Sequence, residues 1–340
     1  MTIHFTRRTF VGAAAATLVA PSVLRAAEPL KFRWSLDTAP SHPRNQAVVD
    51  YVAKLEKASN GELKGEVFHS GQLFADLNVS KALLQGQVEA AAPGAWTLTG
   101  LVPDCDMVQL PYFYGVPIEV THKATDGKPG EHINKQLEGK LGSHVLGPWI
   151  DLGYQNWYST KTPLEKFADL KSLKIRSPGG AAISWRIKFA GGIANTTAWP
   201  NVPLALSQGT FDALVSTDES CNSAKLWEAG VKYSFADHQF MGQYIPMFGK
   251  TFWAKLSSEQ QKMMVDLWAQ NIGDYRKNAA ASQANARKVL ETNGVKFHDP
   301  STEEAGATRK AMMADMNSLI KDAKLSPEVV NLVKESVGSA

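Results

Sequence analysis

The sequence predicts an α/β protein of two lobes that share one long helix. Strand and helix signals alternate along the chain, the alternation occurs twice, and a helical pattern of 37 residues follows both sets. A chain of 340 residues has room for two such units. With 44% hydrophobic and 20% charged residues it has the makeup of a globular protein. A disordered, collagen-like or coiled-coil chain is excluded.

The elements follow in order. Residues 1–27 hold Arg7, Arg8 and Arg25, no Lys and no acid, around an uncharged run from Phe10 to Leu24. That is the pattern of a cleaved export signal, and the Arg7-Arg8 pair suits the twin-arginine route. An N-terminal membrane anchor is the other reading, but the run is short for a spanning helix. The whole chain carries a net charge of +3, from 36 Lys+Arg and 33 Asp+Glu. Loss of the segment would leave 33 of each. No basic cluster then remains to track a phosphate backbone, so nucleic acid is not expected as a partner. No later apolar stretch approaches membrane-spanning length, so an exported chain that is not itself membrane-embedded is expected.

Leu30–Ser35 reads as a strand and Pro43–Ser59 as an amphipathic helix stopped by Asn60-Gly61. Leu63–Phe68 is a second strand, Asn78–Gln85 a helix, and Val88–Ala92 a third, short strand. This order predicts an open, mostly parallel sheet that binds ligands at the carboxyl ends of its strands. The second set holds a strand at Leu173–Ile175, a turn at Ser177–Gly180, helices at Ala181–Ala190 and Val202–Gln208, and a strand at Phe211–Ser216. The long helix runs from Ser257 to Asn293, opened by a capping box at Ser257–Gln260 and closed by Asn293-Gly294. At 1.5 Å per residue it measures about 55 Å, too long for one lobe, so it should run across both. A break near Gly273 is the alternative. The expected division is residues 28–150 plus about 240–268 for lobe 1, and 151–239 plus about 269–340 for lobe 2.

No catalytic pattern emerges. Gly249-Lys250-Thr251 lacks the glycine five positions earlier that a phosphate loop needs, and Tyr244 stands there. No glycine-rich fingerprint follows the first strand, and no serine sits in a nucleophile elbow. None of the eight histidines is three or four positions from another. Cys105 and Cys221 are read as two buried thiols, with one disulfide as the alternative. No cofactor and no metal are expected. What stands out is Arg176, where a strand meets a glycine-rich turn. Its planar fork matches a carboxylate, and at a strand's carboxyl end it faces a cleft. An arginine in isolation is as readily an interlobe ion pair.

The segment Asp169–Gly180, read with Gly71-Gln72-Leu73-Phe74, Leu110-Pro111-Tyr112-Phe113, Gln208–Asp212 and Ser223–His238, resembles the solute-binding proteins of tripartite ATP-independent periplasmic (TRAP) transporters. The resemblance covers nearly the whole chain after residue 27. It implies a two-lobed periplasmic binding protein fold, no enzyme activity, and delivery of an organic acid to TRAP membrane subunits. The family's carboxylate-pairing arginine falls on Arg176, its aromatic pocket residue on Trp199, and a position commonly Asn on Ser216. A second family arginine is replaced by Gln155 in Gly153-Tyr154-Gln155. One fixed positive charge is thus lost.

Trp96, Trp149, Tyr154 and Trp157 are further aromatic candidates for the cleft, and Asp218 and Glu219 could accept ligand hydroxyls or be solvated loop charges. The expected ligand is a monocarboxylate with an apolar or aromatic body, held by Arg176, Trp199, Ser216, Gln155, Trp96 and Glu219. An exported enzyme acting on an organic acid, and a ligand-binding partner of a membrane sensor, remain open beside the transport receptor.

Overall fold

The computed structural model describes Met1 and residues 28–338; the expected export signal lies outside the described residues. The first sheet has the order β2-β1-β3-β12-β4, formed by β1 (Leu30–Ser35), β2 (Leu63–Phe68), β3 (Ala90–Ala91), β4 (Ser143–Val145) and β12 (Met247–Gly249). Strand β1 runs parallel to β2 and β3, with Leu30 opposite Leu63 and Trp34 opposite Ala90. Strand β12 is antiparallel to both β3 and β4.

The second sheet has the order β13-β10-β6-β9-β7-β8. Its strands are β6 (Asn156–Ser159), β7 (Lys174–Ser177), β8 (Ile193–Thr196), β9 (Ala213–Ser216), β10 (Tyr233–Phe235) and β13 (Lys296–His298). Here β7 is parallel to β8 and β9, whereas β6 is antiparallel to β9 and β10. Each sheet is thus mostly parallel with one reversed strand, β12 in the first and β6 in the second, and β10 runs parallel to β13. Strands β1, β2, β3, β7 and β9 are those read from the sequence, and β8 is an addition. The antiparallel members are the strands by which the chain enters each lobe from the other.

The crossings form a ribbon of their own. Strand β5 (Ile150–Tyr154) leaves the first lobe for the second, β11 (Met241–Tyr244) returns, and the two pair antiparallel with a bulge between Gly242 and Gln243. Helix α9 (Ser258–Thr292) lies along this ribbon. Gly153, at φ +140°, is pressed so close that a Cβ there would stand 2.5 Å from Gln283 Nε2. That nitrogen donates to Leu152 O at 2.5 Å.

Seven helices pack around the first lobe and the C-terminal segment: α1 (Pro43–Ala58), α2 (Asp76–Leu84), α3 (Ile118–Thr125), α4 (Lys128–Leu141), α10 (Thr302–Ala314), α11 (Met316–Ala323) and α12 (Pro327–Val337). Helices α5 (Ala181–Phe189), α6 (Val202–Ser207) and α7 (Asp218–Ser223) belong to the second, and α8 (Lys250–Trp253) follows β12. A large apolar core runs beneath the first sheet and into the second lobe. A smaller one gathers Tyr158, Val202, Phe211, Leu214 and Leu290.

Helix α9 is unbroken over 35 residues. Ser257 and Gln260 form the expected capping box, at 3.0 and 3.1 Å. One face buries Met264, Trp268, Ile272, Tyr275, Ala279, Ala286 and Leu290. Near its start Tyr51 of α1 donates to Met264 O and packs edge-on against Trp268. Towards its end Gln283 Oε1 accepts from Glu219 N, in the second lobe. Nothing lies within 4 Å of a Cβ built on Gly273. Gly273→Ala is therefore expected to stabilise the protein by about 0.5–1 kcal/mol, read as a higher denaturation midpoint.

The C-terminal segment corrects the expected division. Helix α11 packs on α5, but α12 returns to α3 and α4 of the first lobe, burying Val329 and Val333. Ser326, which caps α12, binds Asp104 through both its N–H and hydroxyl at 2.7 Å. Residues 269–340 thus do not all run on the second lobe. Cys105 and Cys221 are both free, buried thiols, pushed up by burial.

Candidate ligand-binding cleft

Both sheets present the carboxyl ends of their central strands to one cleft. Asp37 and Thr38 follow β1, Asp76 opens α2 after β2, and Trp96 lies in the 3-10 turn Ala95–Thr97 after β3. From the other side come Arg176 in β7, Trp199 after β8, and Ser216 at the end of β9. Gln155, between β5 and β6, and Tyr244, ending β11, lie at the crossing ribbon. Leu77, Thr97, Leu152, Pro178 and Ser220 complete the lining of this narrow cavity. Arg176, Trp199, Ser216, Gln155 and Trp96 are therefore brought together.

The lobes touch around this space. Gly180, at φ +80°, follows the Arg176 strand, and a Cβ there would stand 2.9 Å from Asp106 Oδ1 and 3.4 Å from Trp96 Cβ. Asp106 Oδ2 accepts from Ala182 N at 3.0 Å in the first turn of α5. His42 Nε2 lies 3.4 Å from Ser220 Oγ across the cleft, its charged form disfavoured by burial and by Arg44.

Arg176 is 3% exposed. Its Nε donates to Thr197 O at 3.0 Å and its Nη1 to Val215 O at 3.2 Å. These two bonds leave three of the five guanidinium N–H groups unassigned. Trp199 lies beside it, with Cζ 5.4 Å from the ring centre. Among the described residues no carboxylate comes within 4.0 Å of it. Burial accordingly pushes the guanidinium down to about 10, with Asp37 opposing the shift. Gln155 is 2% exposed and its Nε2 has no partner among the described residues. A buried cation without its anion and an unanswered amide N–H thus belong to residues lining the same cavity, a donor set suited to an anion.

A second arginine, not anticipated from the sequence, lies behind the opposite wall. Arg44 is wholly buried and its cationic form is held against burial by Asp76, Tyr244 and Asp37. It pairs with Asp37 Oδ1 at 2.6 Å and Asp76 Oδ2 at 2.7 Å, and packs 3.9 Å over the Tyr244 ring. Burial, reinforced by the Asp37 carboxylate, raises Asp76 to about 7 against the pull of Arg44. The rule that strand ends line the cleft would have flagged Asp37. Arg44 carried no such signal.

Several expected neighbours stand elsewhere. Glu219 is buried in the first turn of α7 but does not line the cavity. Its side chain accepts from Asn222 Nδ2 at 3.3 Å, and burial pushes it up to about 7. Asp218 accepts from the Tyr158 hydroxyl and lines a groove on the α9 side. Neither is a solvated loop charge, because the chain turns into a helix at Asp218. Trp149 and Trp157 are core residues bonded to Asn134 and Asp237, and Tyr154 faces the α9 groove stacked on His238. Only Trp96 and Trp199 of the five aromatic candidates line the cleft.

Two α/β lobes, a paired-strand crossing and a long helix shared by both frame this cleft. The sequence matches the family described as bacterial extracellular solute-binding protein, family 7, over residues 35–322, and the chain belongs to that family. It is 28% identical over 306 residues to the C4-dicarboxylate-binding periplasmic protein DctP of Rhodobacter capsulatus, covering 89% of this chain and 90% of the relative. In fold it resembles a sugar acid binding protein from Advenella mimigardefordensis in complex with galactonate, with a TM-score of 0.85, 22% identity, and 91% and 98% of the two chains covered. It likewise resembles a TRAP periplasmic solute binding protein from Desulfovibrio salexigens with bound orotic acid, with a TM-score of 0.84, 20% identity, and the same coverage. The family is one of binding receptors, and no described helix is long and apolar enough to cross a membrane.

Proposed function

We propose that this chain is a periplasmic receptor that closes on a small monocarboxylate with an apolar or aromatic body and delivers it to TRAP membrane subunits. The observation that carries the reading is Arg176, a buried guanidinium with free N–H groups and no protein carboxylate within reach among the described residues. Gln155 adds a neutral donor beside it, and Ser216 a hydroxyl. Trp96, Trp199, Leu77, Leu152 and Pro178 supply apolar surface for the ligand body. A ligand bonded to groups from both lobes favours the closed state, since only differential affinity shifts a conformational equilibrium.

A thermal-shift screen of small carboxylates, with titration of the hits, tests this. Binding stabilises the folded protein by about 2.7 kcal/mol at a ligand concentration of 100 times Kd. At least one monocarboxylate is expected to raise the melting temperature. A panel in which neutral sugars or amines shift the protein and carboxylates do not overturns the reading.

A further inference from the structure

The two walls of the cleft differ in what they can give a ligand. The second-lobe wall offers donors, Arg176 and Gln155. The first-lobe wall holds the Asp37–Arg44–Asp76 cluster, whose hydrogen bonds can be counted. Arg44 Nε donates to Thr38 Oγ1 at 3.2 Å. Its Nη1 donates to Asp76 Oδ2 at 2.7 Å and Ala92 O at 3.0 Å. Its Nη2 donates to Asp37 Oδ1 at 2.6 Å and Thr38 Oγ1 at 2.9 Å. All five N–H groups of Arg44 are therefore engaged, and none remains for a ligand. Asp37 has one bond on each oxygen, its Oδ2 accepting from Asp76 N at 3.0 Å. Asp76 Oδ2 accepts a second bond, from Gly94 N at 3.2 Å. Asp76 Oδ1 accepts none among the described residues, and Asp76 lines the cavity.

Above about pH 7, where Asp76 has lost its proton, two carboxylates around one saturated guanidinium leave this wall with an acceptor and an excess of negative charge. We infer that this cluster sets the ligand class: a monocarboxylate bearing a hydroxyl or amino group at the end remote from its carboxylate, with dicarboxylates rejected. The inference rests on the reading of Arg176 as the carboxylate anchor. A hydroxyl or amino group donates to Asp76 Oδ1 and fills its open position. A second ligand carboxylate meets Asp76 instead, and the cation behind it has no N–H left to answer with. Unpaired like charges in a desolvated site are the strongest form of discrimination against a wrong ligand.

The experiment is calorimetric titration of the purified protein at pH 8.5, where Asp76 is ionised, with two matched series: benzoate, 4-hydroxybenzoate, 4-aminobenzoate and terephthalate; and 4-hydroxybutanoate with succinate. Within the series that binds, the hydroxy or amino acid is expected to bind about 100-fold or more tighter than its dicarboxylate counterpart. In Asp76→Asn, which removes the charge and adds an amide donor, the gap is expected to shrink to about tenfold or less. A dicarboxylate that binds wild-type protein as tightly as its hydroxy counterpart overturns the inference, as does a gap that Asp76→Asn leaves unchanged. Binding of succinate or terephthalate alone overturns it too, while the carboxylate reading stands. A result in which none of the six acids binds overturns both.

Discussion

Arg176→Ala is expected to abolish carboxylate binding and leave the protein folded. The guanidinium is buried and has no protein carboxylate to pair with among the described residues, so an unliganded cleft carries an unanswered charge. Truncating one partner of a buried charge pair costs about 2–5 kcal/mol, which is about 30-fold to several-thousand-fold in Kd. The same truncation relieves the empty protein of a desolvated cation, so its melting temperature should stay level or rise. Titration with the best acid from the thermal-shift screen reads the first effect and calorimetric unfolding without ligand the second. Arg176→Lys keeps the charge without the planar fork and should fall between. Wild-type affinity in Arg176→Ala would remove the central element of the proposed site.

Arg44→Met is expected to act on stability. The guanidinium lies between Asp37 and Asp76, and its removal leaves two buried carboxylates facing one another. Removing one member of such a cluster costs about 3–5 kcal/mol. The loss has a sign with pH. Asp76 already sits at about 7, and loss of the cation moves it further up. In the variant the folded state then holds protons that the unfolded chain releases. The deficit is fully present above the raised folded pKa and eases as pH falls towards the ordinary aspartate value. Melting temperatures of wild type and variant should therefore differ more at pH 8 than at pH 5. An equal difference at both values would show that packing, and not charge, is what Arg44 supplies.

What the sequence made legible was local. Helix α9 announced itself through its capping box, its apolar face and the Asn293-Gly294 stop, and Gly273 was too weak a break to interrupt it. Strands β1, β2, β3, β7 and β9 were found within a few residues because they alternate with helices of clear period, while the short β8 was missed. The antiparallel strands were not found. Strand β12 is three residues long, and its place between β3 and β4 depends on partners far away in the chain. The site divides in the same way. Arg176 stood out at the end of a strand before a glycine-rich turn, whereas Trp199 and Ser216 were named only through the family resemblance. Arg44 looked like an ordinary polar residue in the first turn of an amphipathic helix. Its burial is decided by Asp37 and Asp76, which arrive on separate segments. Glu219 lies buried in the first turn of a helix, which the sequence did not signal.

The strand order also bears on how the chain assembles. Five of the six strands of the second sheet, β6 to β10, lie in one continuous stretch, and only the edge strand β13 comes later. The first sheet is different, since β12 must enter between β3 and β4 after β6 to β10 have been made. Until then β3 and β4 carry open edges, and closing them requires a contact across roughly a hundred residues, a slow event on entropic grounds. An unfilled edge in that interval is a template for pairing with another chain. Strands β6 to β10 of the second sheet can thus pair before the first sheet is complete, and the N-terminal sheet is the step at which nascent protein is exposed to aggregation.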